Sequence, residues 1–310
     1  MFRGLANRIL ALVRRALGIK LLIDEGRHRE QKLFFGQRKA LFAIGNAIKY
    51  STAHPAEVRR SVPYGRAVEL IRLLAPVDVT SAGFVRVGRD HDGGYVMLDA
   101  FSPRPDAAYS LGIADDTSWD ADIADRGIDV YMYDHTISKL PADHSRFHFF
   151  RHGICGQPDA ERPRLKTLET VIAENGHTSS HSLLLKMDIE GDEWPVIAAS
   201  SESSLQRFSQ IVVEFHGLAC VYDGAAYRRI RDCLMRLNRT HQSVHVHANG
   251  HEIPAWIGDL VLPDLLEVTW VRRKDYEGRF APCSRLFPTE LDQCSAPGWQ
   301  DIYLGDFQAK

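Results

Sequence analysis

The sequence predicts a doubly wound α/β fold, a seven-stranded Rossmann-like sheet preceded by a helical N-terminal extension. Three observations carry this. From Ala107 onward, short β-branched and aromatic runs alternate with helical patterns, as in a parallel sheet with crossover helices. Residues 183–194, LLLKMDIEGDEW, begin as a continuous apolar run, the pattern of a strand buried on both faces, and end in carboxylates and a glycine. Finally, 310 residues with 45% hydrophobic and 25% charged side chains suffice for one sizeable core plus appendages.

The first fifty residues differ from the rest, with eleven Lys or Arg against three Asp or Glu, whereas the whole chain has a formal net charge of −2. Leu5, Ile9, Leu12, Val13, Ala16 and Leu17 recur at helical spacing with Arg3, Arg8, Arg14 and Arg15 between them. No apolar run reaches the ~20 residues of a membrane span, and the arginines interrupt every candidate signal-peptide core. This arm reads either as an amphipathic helix on an anionic membrane surface or as a helix packed on its own domain or on a partner. A second helical pattern covers residues 31–49, and 51–63 form a joint. Residues 1–63 are thus a basic helical extension, 64–275 the main α/β domain, and 276–310 a Pro- and aromatic-rich tail that wraps the domain or shapes a pocket.

Residues 65–74 read as a helix. In FVRVGRDHDGGYVML (84–98) two short alternating segments flank Asp92-Gly93-Gly94, the chemistry of a tight hairpin turn, with Arg86 and Asp92 facing either a site or the surface. The first sheet strand is 107–111, followed by the Gly112 turn and a helix containing 119–125. The second, 129–133, ends in Asp134, and a short third strand at 147–150 leads to Arg151 and His152. A helix over 165–174 closes on Asn175-Gly176, a stop signal. Residues 183–187 are the fourth strand, with Pro195 just inside the next helix, where its missing N–H does no harm. A fifth strand (210–215), a helix (227–237), a sixth strand (243–247) and a last strand (266–272) complete the sheet.

A glycine at the first strand-to-helix turn lets backbone N–H groups approach a ligand, and Gly112 stands there. The dinucleotide fingerprint GxGxxG is absent, since Ala114 and Thr117 occupy its other glycine positions, which argues against NAD or FAD. An acid ending the second strand suits a ribose diol, which makes Asp134 a ribose candidate. In open α/β sheets the ligand crevice lies outside the carboxyl ends of the strands, so Asp188 and Glu190 are expected to face a site; the alternative for Glu190 is that it only stabilises the next helix N-terminus, as Asp192 and Glu193 are expected to do. The five cysteines form no CxxC pair and read as free thiols of a reducing compartment, Cys283 and Cys294 being the one pair considered for a disulfide. The near-neutral charge gives no pull toward nucleic acid.

The segments YSLGIADDTSWD, VYMYDHT, LLLKMDIEGDEW and IVVEFHGL, with RVGRDHDGGYVM before them and HVHANG, LEVTWVRR and PTELDQ after, resemble the FkbM-like branch of class I S-adenosylmethionine-dependent methyltransferases. The likeness runs from about Phe84 to the C-terminus. It implies a class I methyltransferase sheet with an antiparallel last strand and S-adenosylmethionine as cofactor. It further implies Ser110 and Gly112 beside the methionine part, Asp134 at the ribose, Arg151 and His152 near the adenine edge, and Asp188 beside the sulfonium and acceptor. Asp116 belongs with the cofactor set on the first turn. That turn departs from the glycine-rich pattern of many class I enzymes, Gly112 being followed by Ala114, Asp115 and Asp116.

Methyl transfer from a sulfonium is an in-line displacement, so the protein's main task is positioning. A hydroxyl acceptor must also lose a proton, to a base or with help from a metal. Asp188, then Glu214 and His216, then His245, His247 and Asn249 stand at three strand ends, and strands ~4.8 Å apart let such groups converge. His216 or His247 is the expected general base. The alternatives are a divalent metal on Asp188, His216 and His247, or structural hydrogen bonding. The reading is a cytoplasmic O-methyltransferase, peripheral at the inner face of a membrane if the arm anchors it. The resemblance leans toward a sugar or glycan-like hydroxyl, and no basic-aromatic track for nucleic acid runs through the catalytic region. The competing readings are a non-catalytic binding module docked to a membrane or complex, and a nicotinamide-dependent oxidoreductase.

Overall fold

The computed structural model describes residues 27–158, 161–162 and 164–309. The amphipathic pattern over residues 5–17 lies outside them. Helix α1 (Arg27–Thr52) buries Ala40, Ala47 and Tyr50, and Lys39 Nζ donates to the Asp264 carboxylate at 2.5 Å. The expected joint is itself helical. Helices α2 (Pro55–Arg59) and α3 (Val62–Leu74) each carry Pro in the first turn, after His54 and Ser61, whose side chains accept from the N–H groups of Ala56 and Tyr64. Tyr50, Val58 and Leu70 lie in one apolar cluster with the main sheet.

After the short strand β1 (Val77–Val79), strands β2 (Phe84–Val87) and β3 (Tyr95–Leu98) form the expected hairpin, with Phe84 opposite Leu98 and Val87 opposite Tyr95. Its connection is a long loop over 88–94, in place of the expected tight turn at Asp92-Gly93-Gly94. The loop is drawn onto the first turn of the main sheet: the Gly88 N–H donates to Asp122, the Arg89 N–H to Ser118, and the Arg89 guanidinium lies 3.3 Å from Asp116. The hairpin is no surface feature either. Strand β3 is buried throughout, with the Gln210 amide bonded to both the N–H and C=O of Leu98 and the Thr269 hydroxyl donating to the Val96 carbonyl.

The main domain continues through β4 (Ala107–Leu111), α4 (Ser118–Asp125), β5 (Val130–Tyr133), β6 (Phe147–Phe150), a small ladder of β7 (Gly153–Ile154) with β8 (Leu165–Lys166), and α5 (Leu168–Glu174). There follow β9 (Leu183–Met187), α6 (Glu193–Ala199), α7 (Glu202–Leu205), β10 (Phe208–His216), α8 (Gly224–Thr240), β11 (His241–Asn249), a hairpin of β12 (Ala255–Ile257) and β13 (Leu260–Leu262), β14 (Leu265–Arg272) and β15 (Phe280–Pro282). The expected helix over 165–174 begins later, because residues 165–166 pair with β7 and Thr167 caps α5 through a bond from the Thr170 N–H.

Seven strands form one sheet in the order β6-β5-β4-β9-β10-β14-β11. Neighbours from β6 to β10 are parallel, and β14 is antiparallel to both β10 and β11. This is the predicted doubly wound sheet with its antiparallel last strand. Strand β9 is central and buried on both faces, as its apolar run requires. The tail packs on the domain: β15 pairs with β1, the Arg285 guanidinium lies 4.0 Å over the Phe84 ring, and Phe287 and Phe307 are buried. Cys220, Cys233, Cys283 and Cys294 are free thiols.

Candidate active site

A cavity of about 620 Å³ opens where the carboxyl ends of β4, β5, β9 and β10 meet the hairpin loop. The chain leaves β4 for α4 and returns to β9 on the other side, so the crevice falls at the switch in strand order. A second cavity of about 540 Å³, between the tail and the β12–β13 hairpin, contains none of the acids at the ends of β5, β9 and β10.

The first turn is built around Gly112, whose φ of 81° is open to glycine and whose Cβ would collide with the Asp188 carbonyl oxygen. Ala114 is also left-handed, at φ 49°, a strain that marks the turn as held in place. The holder is Asp134. One of its oxygens accepts from the Ile113 and Ala114 N–H groups, each at 2.9 Å, and the other from the Thr136 N–H at 2.7 Å and hydroxyl at 2.6 Å. Burial would raise its proton affinity, but these bonds outweigh burial and hold the carboxyl below the usual carboxylate range. A carboxylate offers about four acceptor positions, and the chain uses all of them. A ribose hydroxyl reaching Asp134 would therefore share an oxygen with the turn.

The other residues expected around a cofactor divide. Gly112, Asp116, Asp134 and Asp188 line the cavity. Asp116 also accepts from the Ser118 N–H and hydroxyl and pairs with Arg89. Ser110 is wholly buried in β4, beneath the turn. At the end of β6 the wall is made by Gly153 and Ile154, while Arg151 and His152, just before them, lie outside it.

At the end of β9, Asp188 accepts from the Tyr95 hydroxyl at 3.1 Å. Glu190 is left-handed at φ 58°, the second strained non-glycine turn on the cavity. Glu193 clamps this turn, its Oε1 accepting from the N–H groups of Ile189 at 2.9 Å and Gly191 at 3.1 Å. Asp192 makes no capping bond.

Both histidines expected to act as base lie against acids. His216 Nδ1 lies 3.1 Å from Glu193 Oε1. Burial alone would lower its pKa, but the Glu193 bond and charge, with Asp188 and Glu190 beyond, push it up to about 9. His247 stands outside the cavity, with Nδ1 3.1 Å from Glu267 and Nε2 3.0 Å from Asp301. There too the acids outweigh burial and hold the imidazole well above its ordinary value. In both, the neighbouring acids favour the protonated imidazolium. The expected metal set of Asp188, His216 and His247 is not brought together. Asp188 and His216 instead group with Glu193, and Asp92, Glu214 and Glu267 form a second acidic group.

Glu214 is a further acid at the site that the sequence reading placed at a strand end without giving it a role. It is buried on β10, lines the cavity with Asp188, and its Oε1 accepts from the Asn249 amide at 2.6 Å. Burial, then the negative charges of Asp188, Glu267 and Asp92, push it well above the carboxylate range. Its signal in the sequence is an acid inside the apolar run IVVEF. Lys186 has a similar signal, ending LLLK, and donates to the Gly112 carbonyl at 2.8 Å.

The sheet order, the strand-end acids and the glycine turn agree with the class I methyltransferase fold that the sequence resemblance implies. Residues 94–242 match the family model described as "Methyltransferase FkbM domain". No curated protein matches the chain in sequence. Among solved structures, a protein assigned as a methyltransferase from an antibiotic biosynthesis pathway of Anabaena variabilis is similar at 12% identity, over 46% of this chain and 60% of that one, with a TM-score of 0.24. A SAM-dependent methyltransferase from Agrobacterium tumefaciens is similar at 12% identity over 54% and 56%, with a TM-score of 0.28. The chain spans less than two thirds of either structure. The assignment therefore rests on the family match and on the fold and site themselves.

Proposed function

We propose that this protein is an S-adenosylmethionine-dependent O-methyltransferase acting on a hydroxyl of a sugar or glycan-like acceptor, with Glu214 as general base. The observation that carries the reading is the pair of carboxylates, Asp188 and Glu214, on the cavity wall at adjacent strand ends, one of them with raised proton affinity. The cavity suits the cofactor: glycine brings the backbone close at the first turn, and Asp120 leaves both carboxylate oxygens without a partner. When bound, S-adenosylmethionine supplies an activated methyl group. The chain's own residues position the acceptor and take its proton. Glu214, whose proton affinity is raised by burial beside other acids, would accept that proton from the acceptor hydroxyl. Asp188, fixed by Tyr95, orients the acceptor. His216 acts through Glu193, which shapes the Glu190 turn.

Acidic strand ends favour a neutral, hydroxyl-rich acceptor over a polyanion, which supports a glycan over nucleic acid. The basic arm supports a peripheral position on an anionic membrane surface, with the domain in the cytoplasm. Among the described residues no helix is long and apolar enough to cross a membrane. The test is calorimetry with S-adenosylhomocysteine, followed by transfer of labelled methyl groups to a panel of glycans. Binding without transfer to any hydroxyl favours a non-catalytic module, and binding of NAD in its place removes the methyltransferase reading.

A further inference from the structure

Asp120 has no role in the chemistry above, and its surroundings ask for one. It lies in the first turn of α4, lines the cavity, is 1% exposed, and has no hydrogen-bond partner on either carboxylate oxygen. An ionised carboxylate out of water is costly unless paired. The helix N-terminus favours an acid at this position, which explains why one is tolerated there but leaves both oxygens unbonded.

The charged neighbours are already engaged. Lys186, the cation that acts on Asp120, donates to the Gly112 carbonyl at 2.8 Å, and Asp116 is held by Ser118 and Arg89. The Ser110 hydroxyl, wholly buried on β4, lies near enough to Asp120 to favour its carboxylate but makes no hydrogen bond of normal geometry. One buried acid and one buried base therefore share a wall of the cavity, and the acid lacks a donor. A divalent metal would be repelled by Lys186 and find too few oxygens. A neutral ligand would leave the carboxylate unpaired. A zwitterion matches both charges.

We propose that Asp120 receives the primary ammonium of the amino-acid end of the cofactor, with the Lys186 ammonium facing that end's carboxylate. The assignment rests on the methyltransferase reading and names the residue that distinguishes an amino-acid-bearing ligand from its truncated analogue. Burial pushes Asp120 up to about 6, against the influence of Lys186 and the nearby Ser110 hydroxyl.

The test compares S-adenosylhomocysteine with 5′-methylthioadenosine, which has the same nucleoside and thioether but no amino acid, on the full-length protein and on Asp120→Asn. Losing a charge-assisted bond weakens S-adenosylhomocysteine binding about 10- to 100-fold. Methylthioadenosine affinity stays within about twofold, since it never reaches Asp120. Because Asn removes an unpaired buried charge at nearly equal volume, the melting temperature of the ligand-free variant does not fall. Equal losses for both ligands, no loss for S-adenosylhomocysteine, or a drop in ligand-free melting temperature overturns the assignment. A wild-type protein that binds neither compound overturns the methyltransferase reading and this assignment with it.

Discussion

Replacing Asp134 with Ala separates two roles that the sequence places on one residue. The variant loses the acceptor of four hydrogen bonds, two from the first turn and two from Thr136. Hydrogen bonds to charged groups contribute about 1.5–3 kcal/mol each, but water replaces those whose donors are exposed. Thr136 and Ala114 are exposed, while Ile113 is buried. One bond is thus lost in full and the others in part, about 2–4 kcal/mol in all. At about 2–4 °C per kcal/mol for a domain of this size, the ligand-free midpoint falls by about 4–16 °C. The sign with pH follows from the lowered pKa. Asp134 stabilises the fold above its unfolded pKa, and that contribution is lost as pH falls through the folded value. The variant therefore loses less stability on acidification than the wild type. The assay is thermal unfolding of ligand-free protein by circular dichroism, with calorimetry of S-adenosylhomocysteine well below both midpoints. A weakened affinity with an unchanged midpoint would refute the turn-holding role and leave Asp134 as a ribose ligand alone.

Glu214→Gln should abolish methyl transfer while changing S-adenosylhomocysteine affinity by less than about threefold, because it removes a base and not a cofactor contact; wild-type turnover would move the base to Asp188. The His216 shift from 6.5 to about 9 is worth about 3 kcal/mol of stability, present in full below pH ~6.5 and lost as pH rises through ~9. Histidine NMR titration of wild type and Glu193→Gln checks this, and a His216 pKa that stays high in the variant would remove Glu193 as the cause. Deleting residues 1–26 should release the protein from anionic vesicles without changing its midpoint, whereas deletion through residue 50 also strips the buried Ala47 and Tyr50 and lowers it. Because Glu193 and its neighbours favour the protonated form of His216, millimolar Mn²⁺ should leave the midpoint unchanged at pH 7, and a rise of several degrees would show the Asp188, Glu193 and His216 group binding metal.

By itself the sequence determined the sheet. Apolar runs such as LLLKM, the glycine and acids that follow them, and the alternation of strand with helix are local patterns, set by which faces of each element are buried. The cavity's position and several of its acids, Asp134 and Asp188 among them, follow from the same patterns, because strand ends are where an open sheet leaves room for a ligand. The tertiary structure alone decided what those residues do. His216 and His247 look like bases until Glu193 is found beneath one and Glu267 and Asp301 around the other, on different elements and in the tail. Asp134 looks like a free ribose ligand until the donors of the first turn fold onto it. Asp120 is one acid among several in ADDTSWDAD, and its burial without a partner exists only once α4 has docked on β4 and Lys186. A residue's type and spacing specify its backbone and face. Its proton affinity and bonding are set by neighbours brought from far along the chain.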